Sequence, residues 1–143
     1  MAQASLNKTF NNVLNTKSVA NSTGSSVTLE ETDSGKLILV DASTASTNFT
    51  INLPAASAGL NFSLVLVADS HAASEVLIVP NGSEKIDGLS LNSASGPVFH
   101  DNVASLGFAD AAKIGCQAEL VSDGTGWRVV RAHANAALIV AFS

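Results

Sequence analysis

The chain has 143 residues and a mass of 14.5 kDa, room for one domain of ordinary size. Hydrophobic residues make up 46% and charged ones 13%, with 5% aromatics and no Tyr, which excludes both a disordered acidic chain and a charged coiled coil. A net charge of −5 and a pI near 4.9 set the molecule against nucleic-acid phosphates and anionic lipid, so neither nucleic acid nor membrane is expected as a partner.

Apolar residues are thin from Met1 to Gly24, where Leu6, Phe10, Val13 and Leu14 sit at i, i+4, i+7 and i+8. That spacing suits one face of a short helix, although Asn11, Asn12 and Asn15 are poor helix formers. The segment carries Lys8 and Lys17, and the first acid is Glu30. It reads either as a frayed tail or as a docking arm laid on a partner or sister subunit, and the chain divides into an arm, 1–26, and a β-domain, 27–143. The first thirty residues lack a signal peptide's apolar stretch, and the longest apolar run, Ala136 to Phe142, is far short of a bilayer span. The Asn-x-Ser/Thr triplets at Asn21, Asn48, Asn61 and Asn81 follow from abundant Asn, Ser and Thr.

Beyond the Ser/Thr/Gly linker at 21–26, short β-like runs alternate with turn chemistry. Val27 to Glu30 and Lys36 to Val40 flank Asp33-Ser34-Gly35. Asn48 to Leu53 alternates, with Phe49, Ile51 and Leu53 on one face, and Pro54 ends it. Phe62 to Ala68 and Glu75 to Val79 follow, the latter closed by Pro80-Asn81-Gly82, and Leu89 and Leu91 mark a short strand after Gly88. Residues 92–115 show no sustained period and read as strand fragments and loop, with one helical turn at Ala109 to Lys113. Cys116 to Val121 and Trp127 to Arg131 flank Asp123-Gly124-Thr125-Gly126 as a hairpin. The last run, Ala137 to Phe142, reads as a strand either central in its sheet or covered by another subunit, because an exposed apolar edge invites aggregation. With no βαβ spacing, the expectation is an all-β fold, an antiparallel β-sandwich or jelly-roll-like barrel with an extended or short-helical N-terminal arm.

Chemical motifs are sparse. His71, His100 and His133 are isolated, and Asp101, adjacent to His100, would point the other way on a strand. Lone Cys116 forms no internal disulfide, and no Cys-x-x-Cys or His-x-x-x-His pair offers a metal site. Gly124-Thr125-Gly126 lacks phosphate-loop spacing, and Asp33, Asp87 and Asp123 read as turn formers rather than calcium ligands. Trp127 reads as packing over the core edge rather than stacking on a sugar. The sequence calls for no catalysis, cofactor or metal.

Three stretches in order, Thr28-Leu29-Glu30-Glu31-Thr32-Asp33-Ser34-Gly35-Lys36, Leu53-Pro54-Ala55-Ala56-Ser57-Ala58-Gly59 and Ser122-Asp123-Gly124-Thr125-Gly126-Trp127, with Ile86-Asp87-Gly88 between the last two, resemble a β-module of tailed-bacteriophage virion proteins. These include small capsid decoration (cement) proteins and segments of tail fibres. The resemblance covers roughly residues 28–131 and implies a non-enzymatic protein, made in the host cytoplasm, that binds the major capsid protein on the virion surface, often as a homotrimer. A tail-fibre or receptor- and carbohydrate-binding module is the alternative. Leu6, Phe10, Val13 and Leu14, with Leu138, Val140 and Phe142 at the other end, are the expected capsid or subunit contacts.

Overall fold

The computed structural model describes residues 15–44, 48–110, 112–135 and 138–141. The strands are β1 (Thr16–Ala20), β2 (Ser26–Thr28), β3 (Leu37–Asp41), β4 (Phe49–Asn52), β5 (Asn61–Leu66), β6 (Val76–Val79), β7 (Ile86–Asn92), β8 (Gly96–Val103), β9 (Ser105–Phe108), β10 (Gln117–Ser122), β11 (Trp127–Ala134) and β12 (Leu138–Ala141). They form a seven-stranded sheet, in the order β1-β3-β5-β10-β11-β7-β8, and a five-stranded sheet, β12-β9-β6-β4-β2. The fold is all-β, as its alternating strands predict.

The antiparallel expectation requires correction, because both sheets are mixed. The first six strands alternate between the sheets, so β1, β3 and β5 stack in parallel on one side and β2, β4 and β6 on the other. Thr16 lies beside Leu37 and Leu37 beside Ser63, while Ser26 lies beside Thr50 and Thr50 beside Leu77. The chain thus winds as a flattened coil, each circuit taking roughly two dozen residues. Parallel strands need a crossover, commonly a helix. Here the crossover is a strand of the opposite sheet, which is why the lack of helical spacing does not imply antiparallel pairing. A near-repeat carries the coil: Leu29 to Gly35 and Leu53 to Gly59 have the same spacing, both leucines are 1% exposed, and both glycines adopt left-handed φ, 79° and 90°.

Inside the coil, like stacks on like. Ile38 lies beside Leu64, Val40 beside Leu66, and Ile51 beside Ile78, all at most 1% exposed. Phe49, Ile51 and Leu53 share the buried face, as their alternation predicts. Each such side chain contributes about 1.5–3 kcal/mol through removal from water. One corner of the coil is held by polar bonds. Buried Asn21 donates through Nδ2 to the Thr44 carbonyl (2.9 Å) and accepts from the Thr44 N–H (3.2 Å), and Ser74 Oγ donates to the same carbonyl (3.3 Å).

The remaining strands close the coil's far end. β10 and β9 add antiparallel to β5 and β6, and β11 follows β10 through the predicted 123–126 hairpin. Gly107 makes the β6–β9 junction possible, since a Cβ there would lie 2.4 Å from the Val76 carbonyl oxygen. Trp127 is fully buried in the core, its ring 5.7 Å from that of Phe62, not over the core edge.

Three further expectations are revised. β1 pairs with β3, so the sandwich begins by Thr16 rather than at residue 27, and the arm boundary at 26 is too late. Residues 92–115 contain β8 and β9, and the Ala112 N–H donates to the Ala109 carbonyl (3.0 Å) across the segment expected to make one turn. β12 is the edge strand of its sheet, which removes the central alternative and leaves the one in which another subunit covers it.

Candidate binding surface

Most of the ionisable groups with strong interactions are engaged in holding the fold. Asp33, 4% exposed, accepts from the Lys17 ammonium, from Lys36 Nζ (2.8 Å) and from the Glu30 N–H (3.0 Å). Burial by itself raises its pKa, but the two ammonium groups and the N–H overturn that and hold it at about 2. Lys17 is therefore a ligand of the first coil's corner and not a free charge of an arm. Asp123 accepts from the Thr125 N–H (2.9 Å), Thr125 Oγ1 (2.8 Å) and the Gly126 N–H (3.0 Å), which hold its carboxyl well below the usual range, aided by Arg128 Nη2 at 2.7 Å. Arg128 also pairs with Asp87, and Asp87 accepts from the N–H of Asn102, a residue with left-handed φ of 58°. The three turn aspartates thus serve as a corner anchor, a strand-to-strand brace and an Asx turn.

The histidines lie apart in their roles. His71 Nδ1 accepts from the Ala73 N–H (3.2 Å), and His133 is exposed with Nδ1 3.5 Å from Gln117 Nε2. His100 is 1% exposed, its Nε2 2.7 Å from Ser90 Oγ, and burial pushes its pKa down, favouring the neutral ring. Asp101 is exposed, so the two neighbours diverge as their strand placement predicts. Ser90 is fully buried, which closes this serine–histidine pair to any substrate. Cys116 donates to Asn135 Oδ1 (3.0 Å) and lines a cleft of about 260 Å³ with His133 and Ile114. Among the described residues, no three His, Cys, Asp or Glu side chains converge as metal ligands, and no helix is long and apolar enough to cross a membrane. Buried Trp127 offers no face to a sugar; its Nε1 donates to Glu84 Oε2 (3.2 Å).

The unusual feature is the β7–β8 hairpin, whose patterning is inverted. Beyond the apolar pair Ile86 and Val103 at its base, its buried residues are polar: Ser90 and His100 bond to each other, and Asn92 Oδ1 accepts from the N–H groups of Ala94 (3.0 Å) and Ser95 (2.6 Å) to fix the hairpin turn. Its outward residues are apolar: Phe99 is 74% exposed, Leu89 49% and Leu91 44%. Leu89 lies directly beside Phe99, and Leu91 beside Pro97. The neighbouring β11 adds Val130, 58% exposed, at its bulge. Among the described residues β8 is the edge strand, so the apolar face adjoins a sheet edge, with Asp101 and Arg131 among the exposed residues of the same strands.

Of the expected contact residues, Leu6, Phe10, Val13, Leu14 and Phe142 lie outside the described residues. Leu138 and Val140 are brought into edge strand β12, paired with Phe108 and Leu106. The outward Leu89, Leu91 and Phe99 are absent from the expected contacts because alternation reveals which residues share a face but not which face is buried. The signal available was the company they keep, Ser90 and His100 being as regularly spaced as the leucines. No protein-family model matches the chain, and no curated protein matches it at a significant level.

Proposed function

We propose that this chain is a non-enzymatic structural protein of a tailed-bacteriophage virion, a capsid decoration protein that assembles as a homotrimer and braces the major capsid protein lattice. The observation that supports this most is the inverted hairpin. A monomer gains nothing by placing Phe99, Leu89 and Leu91 in water over buried Ser90 and His100, whereas a subunit that covers this face on assembly gains the burial of each. The low charge and the resemblance over residues 28–131 point the same way. Attachment at repeated lattice positions also lets a modest face suffice, since linked subunits bind with high effective concentration.

The test is binding to capsids stripped of accessory proteins. The full chain should saturate them at a fixed ratio to the capsid subunit, and Phe99→Ser should weaken binding by about 100-fold, as loss of an aromatic anchor does. Electron microscopy that finds the protein at the tail tip, or no binding to capsids, would overturn this reading.

A further inference from the structure

The coil has an open mouth at its first turn. Among the described residues, β1 and β2 are the outermost strands of their respective sheets, and each presents an edge without a described partner strand at the same end of the sandwich. Between them lies a mostly apolar groove of about 340 Å³, lined among others by Lys17, Val19, Ala20 and Val27. Column mates deeper in the stack are covered on both sides: Val27 is only partly buried, while Ile51 and Ile78, which continue its column, are fully buried. Stacked coils need a terminal cap for this reason, because each turn buries its neighbour and the last has none.

We propose that residues 1–14 of the same chain form this cap, seating the apolar set Leu6, Phe10, Val13 and Leu14 over the groove, with Phe10 as the anchor. The described chain starts at the rim, where the Asn15 carbonyl accepts from the Leu37 N–H (3.1 Å). Fourteen residues reach at most about 46–50 Å when extended, and a helix over residues 6–14 would be about 14 Å long. A five-residue strand such as β1 measures about 17 Å, so the segment is long enough to lie along the mouth in either form. The segment carries no acid, so no carboxylate is desolvated by docking. The exposed β7–β8 face lies at the opposite edge of the seven-stranded sheet, about 29 Å away at ordinary strand spacing, and stays free for the partner invoked above.

The experiment is a deletion of residues 2–14, which leaves β1 and the Lys17–Asp33 pair in place, compared with the full chain by thermal melting and amide hydrogen exchange. The expected result is a melting temperature lower by several degrees at every protein concentration, with exchange at Lys17 to Ala20 and Ser26 to Thr28 at least about 10-fold faster and exchange in β7 and β8 unchanged. Phe10→Ser in the full-length chain should move the same amides in the same direction, which keeps the test valid if the deletion folds poorly. A synthetic peptide of residues 1–14, added to the deletion variant, should restore protection at β1 and β2. Unchanged melting and exchange in both variants would overturn the cap, as would an effect that vanishes on dilution, since that assigns the segment to a neighbouring copy. Capsid binding by the Phe99→Ser variant is independent of all these readouts, so the cap and the decoration role fail separately.

Discussion

The coiled half of the molecule, β1 to β6, and the closing half, β7 to β12, solve the same packing problem in opposite ways. In the coil every turn repeats the last, so apolar columns such as Ile51–Ile78 form almost automatically and buried polar side chains are confined to corners and loops such as Asn21–Thr44 and Asp33. In the closing half nothing repeats: β7–β8 and β10–β11 are hairpins, and β11 lies between β10 and β7. There a hairpin buries Ser90, Asn92 and His100 and turns Leu89, Leu91 and Phe99 outward. Among the described buried side-chain atoms, His100 Nδ1 and Ser105 Oγ in this half lack hydrogen-bond partners, as does Ser70 Oγ beside the coil. An unsatisfied buried polar atom costs about 1–3 kcal/mol. The closing half therefore carries a polar burial cost that the regular columns of the coil avoid.

The joint between the halves should be the most sensitive point. Trp127 of β11 packs on Phe62 of β5, so Trp127→Ala should lower unfolding free energy by about 3–5 kcal/mol in denaturant titration. Retention of near-wild-type stability would mean that the halves fold independently.

Next comes the first corner of the coil. The folded pKa of Asp33, about 2, lies below its ordinary value of 3.8, so its carboxylate contributes stability in full above pH 3.8 and loses it as pH falls through 2. The shift corresponds to about 2 kcal/mol. Asp33→Asn should lower the melting temperature at pH 6 and flatten its decline between pH 4 and 2. Equal slopes for the two proteins would remove Asp33 from the acid response.

A smaller loss is expected at the polar corner. Asn21→Ala leaves the Thr44 N–H without a side-chain partner and its carbonyl with the Ser74 hydroxyl alone, and should cost about 1–2 kcal/mol, with faster exchange confined to the coil.

Smallest for stability is the outward face. Leu89→Ser and Phe99→Ser should shift unfolding free energy by less than about 0.5 kcal/mol while improving solubility, because these side chains are already in water. A loss comparable to that of Trp127→Ala would show that the face is packed within the folded subunit.

The sequence alone determined the strand class and much of the strand placement. Period-two runs such as Phe49-Thr50-Ile51 and the Asp123–Gly126 turn encode local conformation, and local conformation needs no partner to be legible. The buried face of β4 was equally readable, since one side of it is wholly apolar. Tertiary structure decided whatever depends on which strands meet. Parallel winding could not be read from turn spacing, because a crossover through the other sheet and a hairpin both appear as a short loop; only the Leu29–Gly35 and Leu53–Gly59 near-repeat hinted at it. β9 was hidden because all four of its residues are buried and Gly107 interrupts the pattern, and β8 because Pro97 and Phe99 face out while His100 faces in. The outward apolar face followed the same logic. Alternation divides a strand into two sides, and only the packing of β7 and β8 at the end of the larger sheet determines that the polar side goes in.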